Sequence, residues 1–206
     1  MASQNDELQI GLVLLAAGES RRLGKPKQLL KFDGKTLIRH LAEMTLASDC
    51  SPVCVVLGAK ADEIRAEIDD LPLETAINEN RQNGMSSSLK IGLDKLLAIA
   101  PNLAAVVVAL CDQPFITSTI INRLAETYQK TNAPIVASEY AETIGVPALF
   151  SHLIFDELLN LSTENGAKQI IKKHLASVIS ISVPEAEIDI DTTDDYEKAI
   201  LLFNRL

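Results

Sequence analysis

The run Gln9-Ile10-Gly11-Leu12-Val13-Leu14-Leu15, followed by Ala16-Ala17-Gly18-Glu19-Ser20-Arg21-Arg22-Leu23-Gly24-Lys25-Pro26-Lys27, decides the fold of this chain. A nearly unbroken apolar run shows no alternation, so it reads as a strand covered on both faces, as in a parallel sheet between helices. The turn after it is rich in small and cationic residues. Beyond the turn, Thr36–Ser48 carries Leu37, Leu41 and Met44 at helical spacing.

The same alternation of apolar runs and amphipathic stretches continues through the chain. Strands are expected at Pro52–Leu57, Glu74–Asn78, Leu103–Leu110, Pro134–Ser138, Gly145–Phe150 and Ala176–Val183. Helices are expected at Ala61–Ile68, Ser86–Ala100, Thr117–Lys130, Ser151–Leu161, Gly166–Leu175 and from Thr193 onward. Ser86, Ser87 or Ser88 would cap the second of these helices, and Thr117 or Ser118 the third. Repeated β-α-β units imply an α/β fold: a three-layer, Rossmann-like, mostly parallel sheet with helices on both faces. No linker or repeat interrupts the pattern, so residues 1–206 read as a single domain. The less regular stretch from about 141 to 175 stands out as a candidate acceptor-side subdomain.

Composition narrows the function. The chain has 206 residues, 47% hydrophobic and 23% charged, which suits a folded domain with a substantial core. Its longest apolar run, Leu103 to Cys111, has nine residues, against the roughly 20 a membrane helix needs. Residues 1–7 lack the positive lead of a signal peptide, and a cytoplasmic protein is expected. With 28 acidic residues against 19 basic, the net charge is −9. That argues against a nucleic-acid partner, but the cluster from Arg21 to Lys31 keeps phosphate ligands open. Cys50, Cys54 and Cys111 form no CxxC pair and read as small buried hydrophobes. His40, His152 and His174 stand in no motif and read as core or surface residues.

Ligands of an open parallel sheet sit at the carboxyl ends of its strands, near the point where strand order reverses. The turn after the first strand is therefore the first place to look for a site. Ala16, Ala17 and Gly18 allow close backbone approach to phosphate oxygens, and Arg22 and Lys27 add positive charge. Two familiar phosphate loops fail here. Five residues rather than four separate Gly18 from Gly24, and Lys25 is followed by Pro26, so no Walker A loop exists. Glu19-Ser20 breaks the dinucleotide fingerprint.

Leu15-Ala16-Ala17-Gly18-x-Ser20-x-Arg22-x-Gly24-x-Pro26-Lys27 instead resembles the signature of the MobA-like NTP transferases, enzymes of the nucleotide-diphospho-sugar-transferase type. The resemblance implies a loop that wraps a triphosphate, with Arg22 and Lys27 neutralising it. Leu110-Cys111-Asp112-Gln113-Pro114 resembles the family's metal-binding Asp motif. An Asp directly after a long apolar run is costly to desolvate unless a cation meets it or it lies at the rim. Asp189-Ile190-Asp191-Thr192-Thr193-Asp194-Asp195 is similar to the late element whose Asp, here Asp191, would complete a Mg²⁺ site with Asp112. Asp194 and Asp195 suit the start of the last helix.

Asn80-Arg81-Gln82-Asn83-Gly84-Met85-Ser86-Ser87-Ser88-Leu89 resembles the base- and ribose-contacting segment of the molybdenum cofactor cytidylyltransferase branch. The resemblance places Asn80, Gly84, Met85, Ser87 and Ser88 beside Leu15, Ala16, Ala17, Gly18, Ser20, Arg22, Lys27 and Asp112 in a nucleotide site. Gly145-Val146-Pro147-Ala148-Leu149-Phe150 and Asn165-Gly166-Ala167-Lys168 are similar to that branch's acceptor-side loops, although Val146 departs from the usual His or Asn. The implied reaction is Mg²⁺-dependent transfer of CMP from CTP to molybdopterin, with Lys27, Arg22 and Asp112 catalytic. A molybdoenzyme is a candidate partner. The alternatives are guanylyl transfer to molybdopterin, another NTP with a sugar phosphate, and a non-catalytic accessory protein.

Overall fold

The computed structural model describes residues 8–18, 20, 22–79, 84–161 and 166–205. Its seven-stranded sheet contains β1 (Ile10–Ala16), β4 (Val53–Leu57), β5 (Glu74–Ile77), β6 (Ala105–Leu110), β7 (Ile135–Tyr140), β8 (Thr143–Ser151) and β9 (Val178–Ser182). Two short strands, β2 (Lys31–Phe32) and β3 (Lys35–Thr36), form a separate antiparallel ribbon that the sequence pattern did not suggest. The helices are α1 (Leu37–Leu46), α2 (Ala61–Arg65), α3 (Gly84–Ile99), α4 (Ser118–Thr131), α5 (Phe155–Leu159), α6 (Gly166–Lys173) and α7 (Thr193–Phe203). Among the described residues, no helix is long and apolar enough to cross a membrane.

The sheet order is β5-β4-β1-β6-β8-β7-β9. The chain winds outward from β1 through β4 to β5, then returns to lay β6 on the other side of β1. Both neighbours of β1 are parallel to it. The order therefore reverses between β1 and β6, and their carboxyl ends open a crevice at that point. Among the described strands, β8 alone runs against the rest: it pairs antiparallel with both β6 and β7, and β9 is again parallel to β7. β8 lies within the main sheet, although it falls in the stretch from 141 to 175 that was set apart as a candidate subdomain.

The unbroken apolar character of β1 follows from burial on both faces. Leu12, Leu14 and Ala16 point into one core with Leu37 and Leu41 of α1 and Leu124 of α4. Val13 and Leu15 point into the other with Leu89, Leu93 and Leu96 of α3. Gly92 lets α3 press closely onto the sheet, since a Cβ there would lie 2.6 Å from Val13 Cγ1 and 2.8 Å from Val56 Cγ2.

Two expectations change, and one connection carries no sequence signal. α3 begins at Gly84, so Ser86, Ser87 and Ser88 lie inside its first turn and do not cap it. The Asn78 amide instead donates to Ser87 Oγ and Ser88 Oγ, both at 2.8 Å. The helix expected at Ser151–Leu161 starts later, because Ser151 ends β8 and a 3-10 turn over His152–Ile154 precedes α5. The β7–β8 pair is a tight hairpin turned by Ala141 and Glu142, at φ 44° and 58°. Neither is the Gly or Asn that usually signals such a turn.

Candidate active site

The crevice between the carboxyl ends of β1 and β6 widens into a cavity of about 720 Å³. Leu15, Ala16, Ala17, Gly18, Ser20, Arg22 and Lys27 line it from the first loop, and Asp112 from the turn after β6. Gly84, Met85 and Ser88 line it from the start of α3, and Asp191 from the approach to α7. Four chain segments far apart in sequence thus meet where the fold places a ligand. Ser87 is not part of the lining; its hydroxyl donates to Gly84 O at 2.8 Å. Asn80, Arg21 and Asn165 fall outside the described residues. Met85 is half exposed over the cavity and does not fill the core.

The loop is shaped by its own side chains. Ser20, at φ 50°, accepts the Lys27 N–H on its Oγ at 2.9 Å. Gln28, almost fully buried, donates its amide to Ala16 O at 2.6 Å and Gly18 O at 3.0 Å. These bonds hold both ends of the turn and set where Arg22 and Lys27 leave it.

Gly58, the residue after β4, supports the loop from behind. A Cβ on Gly58 would lie 2.5 Å from Ala17 O and 2.9 Å from Ala17 Cα, so only glycine leaves Ala17 in place. Gly58→Ala is therefore expected to weaken nucleotide binding by about tenfold or more, since a displaced backbone loses its alignment with the ligand. Calorimetric titration beside a circular dichroism spectrum of unchanged shape is the check. Wild-type affinity would refute the supporting role.

Lys27 is the centre of the charge arrangement. Its Nζ donates to Asp112 Oδ2 at 2.7 Å, Asp191 Oδ1 at 2.9 Å and Ile190 O at 3.2 Å. Its side chain is 10% exposed. Burial alone would lower the ammonium pKa, but Asp112 and Asp191 outweigh it and hold Lys27 above the ordinary lysine range. Arg22 Nη1 stands 3.5 Å from Asp191 Oδ2, with its side chain 72% exposed. The structure thus adds something the sequence did not suggest: the cation expected on phosphates rests between the two carboxylates expected on a metal.

Those oxygens are suited to a hard divalent cation. Asp112 Oδ1 is buried with no hydrogen-bond partner among the described residues. Carboxylate and carbonyl oxygens are the donors Mg²⁺ and Mn²⁺ prefer. No group of three or more His, Cys, Asp or Glu among the described residues is arranged to hold a metal by itself. A cation here would need phosphate oxygens or water to complete its shell, as nucleotide-bound metals do.

Sequence reasoning missed several cavity residues. Gln113 donates to Val146 O at 3.2 Å and Ala186 O at 2.8 Å, tying the end of β6 to β8 and to the 3-10 turn Pro184–Glu187. Tyr140 lines the far wall, with its hydroxyl packed over Gly145. Asp189 also faces the cavity, its carboxyl raised above the usual range by burial and by Asp112 and Asp191. Gln28 and Gln113 each follow directly on a singled-out residue. Asp189 stands two before Asp191, the period that returns a side chain to the same side of extended backbone.

No histidine lines the described cavity, and Cys111 is the one described cysteine that does. His40 is buried, donates from Nε2 to Pro114 O at 3.1 Å, and burial lowers its pKa. His152 and His174 bond to Ala104 O and Glu157, away from the cavity. All three cysteines are buried and unpaired, and burial pushes Cys50 up to about 11 and Cys54 to about 12.

Comparison with known proteins agrees with this geometry. Residues 12–178 match the MobA-like NTP transferase domain. Nicotine blue oxidoreductase of Paenarthrobacter nicotinovorans is 30% identical over 191 residues, covering 88% of this chain and 92% of that protein. A solved homologue of Rv0371c from Mycobacterium sp. strain JC1 is 34% identical with a TM-score of 0.83, covering 95% of this chain and 97% of its own. Rv0371c of Mycobacterium tuberculosis H37Rv, solved as a complex with manganese, is 26% identical with a TM-score of 0.78, covering 94% and 98%.

Proposed function

From the premise that this chain belongs to the MobA-like NTP transferase family, we propose that it transfers CMP from CTP to the phosphate of a molybdopterin-type acceptor, releasing pyrophosphate with the help of Mg²⁺. The observation that carries this reading is the meeting of Lys27 and Arg22 with Asp112 and Asp191 in the crevice between β1 and β6. Gly84, Met85 and Ser88 on the same cavity support a base-side role for the start of α3. The manganese complex of Rv0371c supports a divalent cation as the metal partner.

In this reaction an acceptor phosphate oxygen attacks the α-phosphorus in line, forming a new P–O bond as the bond to the β-phosphate breaks. A phosphate monoester is already nucleophilic near neutral pH, so the chain needs no general base, in keeping with a cavity free of histidine among its described lining. Asp112 and Asp191 would hold a divalent cation, which when bound would supply Lewis-acid stabilisation of the charged oxygens. The chain's own part is positioning and charge: the small residues Ala16 to Gly18 admit the triphosphate, and Lys27 and Arg22 offset its growing negative charge.

A second reading has one observation behind it, the oxidoreductase name of a relative that matches most of the chain. Two measurements separate the readings. Calorimetry with CTP, GTP and UTP in Mg²⁺ is expected to show binding with CTP preferred, and pyrophosphate release is expected only when molybdopterin is added. GTP preference would move the chain to guanylyl transfer. Nucleotide binding with release only for a sugar phosphate would change the acceptor. Binding of no nucleotide would favour an accessory role, and oxidation of NADH or NADPH without nucleotide turnover would favour the redox reading.

A further inference from the structure

Lys27 Nζ occupies a position bounded by three oxygens, on Asp112, Asp191 and Ile190, at 2.7, 2.9 and 3.2 Å. These are also the oxygens best suited to a hard divalent cation. A bound metal and an ammonium compete for these carboxylates, because two cations on the same donors repel in a partly buried site. Lys27 is fixed at its backbone through the N–H to Ser20 Oγ, and its four methylenes give the ammonium reach to other acceptors once the three oxygens release it. The loop side of the same cavity is where the triphosphate reading puts negative charge.

From these contacts we infer that Lys27 is an exchangeable internal cation. It holds the gap between Asp112 and Asp191 when no nucleotide is present, and yields that gap to a divalent metal as it moves onto the triphosphate. The inference rests on the metal-site reading above and adds a coupling to it. Free protein binds metal weakly because Lys27 competes, whereas nucleotide removes the competitor and brings phosphate ligands of its own. Metal and nucleotide therefore bind with positive cooperativity, and each strengthens the other by the same factor. The competition also explains how a pair of carboxylates persists in a half-buried cavity without metal: Lys27 neutralises one of the two charges.

The test measures Mn²⁺ affinity by calorimetry or by the paramagnetic resonance of free Mn²⁺, without nucleotide. The proteins are wild type, Lys27→Met, Lys27→Gln and Asp112→Asn. Lys27→Met is expected to bind Mn²⁺ at least roughly tenfold more tightly than wild type, because the competing charge is gone. Lys27→Gln, which keeps a hydrogen-bond donor for one carboxylate, is expected to do the same should the methionine variant fold poorly. Added CTP is expected to tighten Mn²⁺ binding more in wild type than in either Lys27 variant. Equal affinity in wild type and both variants would overturn the exchange while leaving the metal site standing. Unchanged Mn²⁺ affinity in Asp112→Asn would overturn the metal site itself.

Discussion

Asp112→Asn is expected to cut pyrophosphate-forming turnover by roughly a hundredfold to a thousandfold while the chain stays folded. Asn keeps the shape of Asp and removes its charge. Asp112 follows the buried strand β6 at the switch point, with one oxygen on Lys27 and the other without a partner among the described residues. Neutralising it removes half of the carboxylate charge available to a divalent cation, and loss of one preorganised electrostatic contact costs ~3–4 kcal/mol in a dry site. At about 1.4 kcal/mol per tenfold, that corresponds to two to three powers of ten. Folding is expected to survive because Lys27 retains Asp191 Oδ1 and Ile190 O, so its ammonium is not left bare. Single-turnover rates and a thermal melt, taken together, decide the matter. Near-normal turnover in Mg²⁺ sinks the assignment, and a large fall in melting temperature shows that Asp112 is structural.

Much of this arrangement is legible in the sequence, and the reasons differ by element. β1 and β6 are legible because strands buried on both faces must be apolar at nearly every position. The first loop is legible because its small residues, cations and Pro26 fall at fixed spacing. β8 is another matter. Its opposed direction depends on a hairpin at Ala141 and Glu142, whose positive φ values carry no Gly or Asn signal. The serines of α3 have the composition of a cap, yet tertiary contact wins: Asn78, buried at the end of β5, takes two of their hydroxyls. Gly58 and Gly92 look ordinary in a linear reading. Their need for glycine lies in atoms of Ala17, Val13 and Val56, brought close only by the fold.

The site itself is half legible in the same sense. Family resemblance expects Lys27, Asp112 and Asp191 in one site, but it says nothing of which groups touch. The structure pairs the lysine with the carboxylates, and this pairing changes how the loss of Lys27 should be read. Lys27 has two tasks on this view, holding the carboxylates apart from one another's charge and then meeting the triphosphate.

Lys27→Ala is accordingly expected to lower kcat by roughly a hundredfold to a thousandfold, with a smaller change in KM. The Lys27 side chain is 10% exposed, so water screens its charge poorly and its interaction with charge developing on the α-phosphate is expected to be worth several times a surface contact. Contacts that strengthen in the transition state appear in kcat. Arg22 is 72% exposed and 3.5 Å from Asp191, so water screens its charge more and Arg22→Ala is expected to lower kcat by roughly tenfold, less than Lys27→Ala does. Lys27→Arg should not rescue: a planar guanidinium cannot set one compact charge among three converging oxygens. The contrast matters because tighter metal binding in Lys27 variants, taken alone, would suggest a better enzyme. If Lys27 serves the phosphates, those variants hold metal more tightly and turn over more slowly. Steady-state kinetics on the three variants at saturating Mg²⁺ provide the check. A Lys27→Ala enzyme with unchanged kcat would confine Lys27 to neutralising Asp112 and Asp191.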